Sequence, residues 1–355
     1  MEKKKLLNNC LNDLKDQIDF FEKNSDKIIS PGNTWSKRVN KILEELKENN
    51  ELLLNFKKSN IFNTDIPAGN MNLVKKMLFD LFSLLPKFIG YHPYVNYLEN
   101  SFKVIEEENA LETLRRNQIT LVGNPVVYRK KGLIFTYRWL RHILLLSYYE
   151  KKIKKLNNVQ IIADIGTGYG TFPILMKKNF KNKKFILIDL PEQLCAARYY
   201  IKSEFPEARI PDFKDIINCS KLDRNFFDNF DFSLVPCYLI NKIEENSADM
   251  FTNFASLNEM PKSWFDEYLN SKLFKSSKYL FTMNRFDRDP MNENEKNSIS
   301  ILDMPFEEYK KIFFKVFPLY KWAYNPVKFL NIPIYAKKVW HDPCYIFIGK
   351  RNKNN

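Results

Sequence analysis

Asp164-Ile165-Gly166-Thr167-Gly168-Tyr169-Gly170 closes one apolar run, and Asp189 closes the next, 19 residues after Gly170. A strand that ends in glycines and opens a helix serves anions or nucleotides. Glycine reaches positive φ and lets ligand atoms approach the backbone. An acidic residue about twenty positions on, at the tip of the following strand, accepts hydrogen bonds from ribose hydroxyls. Asp189 suits that role. The alternative, a turn serving only helix-on-sheet packing, leaves Asp189 at its strand end without a reason.

The ligand class follows from what the turn lacks. A dinucleotide fingerprint, G-x-G-x-x-G, read from Gly166 and Gly168 needs a third glycine where Thr171 stands. No Gly-Lys-Ser/Thr follows the turn, so a nucleotide triphosphate loop is absent as well. The pattern present is D-x-G-x-G-x-G. An acid inside such a turn repels a pyrophosphate and suits an ammonium group. S-adenosylmethionine has an ammonium, a ribose and no phosphate.

Transfer of a methyl group from a sulfonium is an in-line displacement, so the protein chiefly aligns the acceptor. An acceptor hydroxyl also needs a base as attack proceeds. Glu259 is the first candidate, after the fourth strand at the carboxyl edge of the sheet. The competing reading is a carboxylate favouring the helix that Pro261 opens. His341, beside Asp342, is a second candidate, against a satisfied or exposed residue before the last strand. His142 is a third, as base or donor. Arg138 and Arg141 share its face at i, i+3 and i+4 in an otherwise apolar helix, LIFTYRWLRHILLLSYY. Their guanidinium forks suit the cofactor carboxylate or an anionic group of the substrate, with solvated helix arginines as the alternative. Tyr128 and Arg129 lie on the preceding segment, read as a lid over the acceptor or a plain surface loop.

These residues need a scaffold. VQIIADIG and KKFILIDLP are continuous apolar runs, the pattern of strands buried on both faces. FDFSLVPCYLI, ADMFTNFASLNEM and SKYLFTMNR supply three more, with helices between them. That alternation predicts a doubly wound, mostly parallel α/β sheet. CYIFIGKR predicts an antiparallel edge strand closing it, and a stretch of about 286–340 predicts an insertion beside it. Residues 1–120 read as a helical N-terminal region, a cap or a dimerisation surface. A long helix is expected over Leu133–Leu156, preceded by a loop at Leu121–Lys131.

The formal charge is +14, from 56 Lys+Arg and 42 Asp+Glu. The Lys residues are scattered among Glu and Asp and accompany many Asn, Ile and Phe, which share AT-rich codons. This reads as solvated helix faces, not a nucleic-acid surface. Five cysteines with no C-x-x-C spacing indicate neither a zinc site nor a disulfide framework. No carboxylate and histidine cluster at readable spacing calls for a metal. No secretory signal and no membrane span is read, so a cytoplasmic chain is expected.

IADIGTGYGTF and FILIDLP resemble the class I S-adenosylmethionine-dependent methyltransferases, a Rossmann-like fold with a seven-stranded sheet. VGNPVVYRKKGLIFTYRWLRH, DLPEQLCAARYY and ASLNEMPKSWFDEYL resemble, more narrowly, bacterial sugar O-methyltransferases associated with surface-polysaccharide gene clusters. The resemblance covers roughly Leu121–Phe286, and Val339–Lys350 more loosely. It implies that Asp164, Gly166, Thr167, Gly168 and Gly170 surround the methionine part and that Asp189 and Leu190 meet the ribose. Pro236, Cys237 and Tyr238 would lie by the adenine, with Ser256 also at the cofactor. The expected activity is methylation of a hydroxyl on a sugar or sugar nucleotide. An RNA or protein methyltransferase is the alternative enzyme, expected to carry an Asn-Pro-Pro-Tyr motif or a catalytic cysteine near the fourth strand. A non-catalytic scaffold with the same fold is the other alternative. A homodimer through the N-terminal helices is one use of that region.

Overall fold

The computed structural model describes residues 2–24, 44–46, 50–58, 93–156, 158–286, 299–319, 327–329, 332–335 and 343–352. Its centre is a seven-stranded sheet. In chain order its strands are β3 (Ile161–Ile165), β4 (Lys184–Asp189), β5 (Phe232–Pro236), β6 (Met250–Phe254), β7 (Tyr279–Arg285), β8 (Tyr309–Phe317) and β11 (Cys344–Arg351), while β9 (Val327–Phe329) and β10 (Ile332–Tyr335) pair antiparallel with each other apart from it. The seven lie in the order β5-β4-β3-β6-β7-β11-β8. The first five run parallel, and β11 is antiparallel to both of its neighbours. The fold is therefore the doubly wound, mostly parallel seven-stranded sheet expected.

Why these runs are strands is visible in their burial. All five residues of β3, β5 and β6 are buried, so no polar face exists to alternate with an apolar one. Side chains still alternate between two cores. Ile162 and Leu187 join one apolar cluster, with residues of α1 (Glu2–Lys23), α3 (Tyr137–Lys152), α4 (Thr171–Asn179) and α5 (Pro191–Glu204). Ile161, Ala163, Ile165 and Ile188 join the other, with Trp264, Phe265 and Tyr268 of α6 (Lys262–Asn270). Helices thus cover both faces.

Several expectations are corrected. β11 is antiparallel but internal, lying between β7 and β8. The stretch expected to insert beside the sheet instead supplies its edge, β8. That strand was hard to read because its centre is exposed on both faces: Phe314, Lys315 and Val316 all face solvent. The helix expected from Leu133 begins at Tyr137. Leu133–Phe135 (β2) pairs with Tyr128–Lys130 (β1) in a hairpin, and the Thr136 hydroxyl caps α3 by accepting from the Trp139 N–H at 3.2 Å. The presumed loop is partly this hairpin. In the N-terminal region α1 and α2 (Pro93–Glu107) are helical, and Asn50–Asn55 forms a short 3₁₀ turn. Residues 59–92 of the expected helical region lie outside the described residues. Among the described residues no helix is long and apolar enough to cross a membrane.

Candidate active site

The parallel order puts the carboxyl ends of β3, β4, β5 and β6 side by side, where doubly wound folds bind ligands. β3 leaves the sheet through the glycine turn. Gly166, Gly168 and Gly170 have φ of 65°, 56° and 78°, in the left-handed region. At Gly166 a Cβ would meet Ser256 Oγ at 1.9 Å, so glycine is required by space as well as by φ. Ser256 is held there by the Asn253 amide, which donates to Ser256 Oγ at 2.6 Å and to the Ile165 carbonyl at 2.7 Å. The tips of β3 and β6 are thereby tied together.

All three glycine N–H groups are engaged within the protein. Gly166 donates to the Ile188 carbonyl at 2.8 Å, Gly170 to the Thr167 carbonyl at 3.1 Å and Gly168 to Asp189 Oδ2 at 2.6 Å. The other Asp189 oxygen accepts from the Leu190 N–H at 2.7 Å. Each carboxylate oxygen keeps a second lone pair for a ligand hydroxyl. Burial pushes the Asp189 carboxyl up to about 6 against the pull of these N–H bonds and of nearby Arg138. Asp189 and Leu190 sit together at the β4 tip, half-buried.

Asp164 differs from its expected place. It is only 2% exposed, and its Oδ1 accepts from the Thr252 hydroxyl at 2.6 Å. Burial pushes its carboxyl up to about 7. It ties β3 to β6 beneath the turn instead of presenting an open face. The half-exposed rim of the turn is Gly166, Thr167 and Gly168.

Arg138 reaches this rim. Its Nη1 would stand 3.5 Å from a Cβ on Gly168, and its guanidinium lies 5.0 Å from the Tyr169 ring centroid. Arg141, one turn on, is half-buried, and its Nε is buried with no hydrogen-bond partner among the described residues. His142 packs against its own helix. It is buried, its Nδ1 lies 2.7 Å from the Arg138 carbonyl of its own helix, and burial holds it well below the usual imidazole range. Of the three residues on this face, Arg138 meets the glycine turn, while the His142 ring packs against its own helix.

Glu259 follows β6 in the 3₁₀ turn Leu257–Glu259 and forms an ion pair with Arg285, Nη2 to Oε1, at 3.2 Å. Arg285 ends β7, and its N–H donates to Asn258 Oδ1 at 3.0 Å. The pair lies at the same sheet edge as the glycine turn. Cys237 and Tyr238 follow β5. Cys237 is buried, with its thiol pushed up by burial, and Tyr238 donates its hydroxyl to the Gln17 carbonyl of α1 at 2.8 Å. Tyr128 is 8% exposed and gives its hydroxyl to Glu99 of α2, while Arg129 is exposed on β1. Tyr128 thus fastens the hairpin to α2. His341 lies outside the described residues. Among the described residues no cluster of three or more His, Cys, Asp or Glu is gathered to hold a metal.

Three contributors went unread in the sequence. Asn253 and Arg285 are polar residues at strand ends, and a buried Asn inside MFTNF was the available signal. Gln193, in the first turn of α5, is 3% exposed, and neither end of its amide has a partner among the described residues. Nothing in the local pattern marked it.

No protein-family model matches the chain, and no curated protein matches it. Solved structures match at low identity and with low TM-scores. One is M. capricolum TrmK in complex with S-adenosyl-homocysteine, 14% identical over 59% of this chain and 70% of that one, with a TM-score of 0.31. Another is the precorrin-6y C5,15-methyltransferase of Geobacter metallireducens GS-15, 14% identical over 64% of this chain and 94% of that one, TM-score 0.32. A third, studied for the conversion of a disulfide bond into a thioacetal group during echinomycin biosynthesis, is 11% identical over 59% and 82%, TM-score 0.36.

Proposed function

We propose that this chain is an S-adenosylmethionine-dependent O-methyltransferase acting on a hydroxyl of a sugar or sugar nucleotide. The observation that carries the cofactor reading is the use of the turn's own donors. Phosphate sites at helix N-termini work by aiming free backbone N–H groups at the anion. Here the glycine N–H groups are spent on Ile188, Thr167 and Asp189, and a buried carboxylate underlies the turn. Such a turn rejects a pyrophosphate and tolerates a cationic, phosphate-free nucleoside.

Asp189 would hold the ribose through its two remaining lone pairs, and Gln193 offers an unpartnered amide one turn away. Arg138 and Arg141 would hold the cofactor carboxylate, and the orphaned Nε of Arg141 suits an anion. When bound, S-adenosylmethionine supplies a methyl group on a sulfonium, already activated for displacement. The chain's own task is to orient the acceptor oxygen and accept its proton. Glu259 is the carboxylate available at that sheet edge, and Arg285 fixes its direction. The sugar acceptor rests on the resemblance of the segments around Arg138, Asp189 and Glu259.

The test is turnover of S-adenosylmethionine with a panel of nucleotide sugars, for wild type and Glu259→Gln. The variant should lose at least about a hundredfold in kcat, the scale of general-base catalysis, while binding S-adenosylhomocysteine as wild type does. Unchanged turnover removes Glu259 from the mechanism. Methylation of RNA but of no nucleotide sugar refutes the acceptor class.

A further inference from the structure

Tyr169 stands between Gly168 and Gly170 in the glycine turn, yet it is only 1% exposed and lies in a nest of rings and cations. Phe56 meets it edge-on at 5.0 Å between centroids, and Tyr200 of α5 at 6.1 Å. The Lys57 ammonium lies 3.8 Å from the Tyr200 centroid and 5.9 Å from that of Tyr169. The Arg138 guanidinium lies 5.0 Å from the same Tyr169 ring. Cations within about 6 Å of a ring are attracted to it, more strongly where water is excluded. Lys57 is 2% exposed, and Phe56 and Tyr200 are fully buried.

The segment carrying Phe56 and Lys57 is itself fixed. The Lys57 N–H donates to the Gly123 carbonyl at 3.0 Å. The Phe56 ring occupies the space a Cβ on Gly123 would need, at 2.4 Å. So a piece of the N-terminal region, far from the sheet in sequence, is locked against the back of the cofactor turn.

We propose that Lys57 is a positioning residue for the amino-acid end of the cofactor: packed on Tyr200 and Tyr169, it fixes the ring against which Arg138 lies and so sets that guanidinium for a carboxylate. The inference rests on the cofactor reading above and deepens it, because it assigns the N-terminal region a part in cofactor binding. A neutral residue at position 57 releases the ring stack, and Arg138 then loses its setting.

A purely structural brace and a positioning role separate by ligand. S-adenosylhomocysteine carries the carboxylate; 5′-methylthioadenosine has the same nucleoside without it. Calorimetric titration of full-length Lys57→Met should show S-adenosylhomocysteine weakened about tenfold, the scale of one charge-assisted contact, with 5′-methylthioadenosine within about twofold of wild type. Lys57→Arg should restore the difference. Equal weakening of both ligands, or of neither, overturns the proposal. Should Lys57→Met fail to fold, Tyr200→Leu against Tyr200→Phe applies the same criterion, since only phenylalanine keeps the face that Lys57 meets. Wild-type protein binding neither ligand would instead overturn the cofactor reading, a distinct result.

Discussion

Gly166 carries two separable constraints. Its φ of 65° costs an L-residue about 1 kcal/mol, and its missing Cβ leaves room for Ser256. Gly166→Ala should therefore displace Ser256 and weaken S-adenosylhomocysteine more than about tenfold, since the clash adds to the backbone cost. The double variant Gly166→Ala with Ser256→Gly should recover most of that loss, leaving only the backbone share. Calorimetry on the three proteins decides it: no recovery means that Ser256 is not what the glycine accommodates. At this scale the turn and Asp189 were legible because residue type alone dictates them. His142 was not, since helical spacing fixes a face but not which way a ring turns. Its Nδ1 found the carbonyl four residues back. Asp164 was legible as an acid in the turn but not as a buried tie to Thr252, because its partner lies 88 residues away in sequence.

Among elements, α1 shows how the N-terminal region joins the sheet. Asp13 accepts from the Phe213 N–H at 3.0 Å and from Gln17 Nε2 at 2.8 Å, and forms an ion pair with Arg198 of α5 at 3.4 Å. Both side chains of the pair are about nine-tenths buried. Removing one member of a buried pair strands the other. Arg198 keeps Asp212 and the Pro211 carbonyl, so Asp13→Ala should cost about 2 kcal/mol and lower the melting temperature by about 3 °C. Thermal unfolding at pH 8 is the check, and an unchanged midpoint would mean that α1 docks by its apolar face alone. The doubly buried strands were legible because a continuous apolar run has few other uses. β8 was not, because an edge strand exposed at its centre carries no period. β11 read as an edge because its charged exit, Lys350 and Arg351, resembles edge protection, whereas β8 covers it.

For the whole molecule, two carboxyls raised by desolvation predict pH-dependent ligand binding. Asp189 is raised to about 6 and Asp164 to about 7, above the roughly 3.9 of an aspartate in an unfolded chain. Ionising them therefore costs the ligand-free fold. The cost is full above about 7 and is relieved as pH falls through the folded values toward about 4. A ligand that donates ribose hydroxyls to ionised Asp189 and brings an ammonium near the turn favours the charged forms. Its affinity should rise through pH 6 to 7 and level off above, falling below by up to about tenfold per unit for each carboxyl that must ionise. The Asp189→Asn variant should bind weakly and lose most of this slope. The most direct measurement is calorimetric titration of wild-type protein with S-adenosylhomocysteine and with a nicotinamide dinucleotide, each at pH 5.5 and pH 8. The account predicts saturable binding of the first, tighter at pH 8, and none of the second. Binding of the dinucleotide without the homocysteine nucleoside would contradict it.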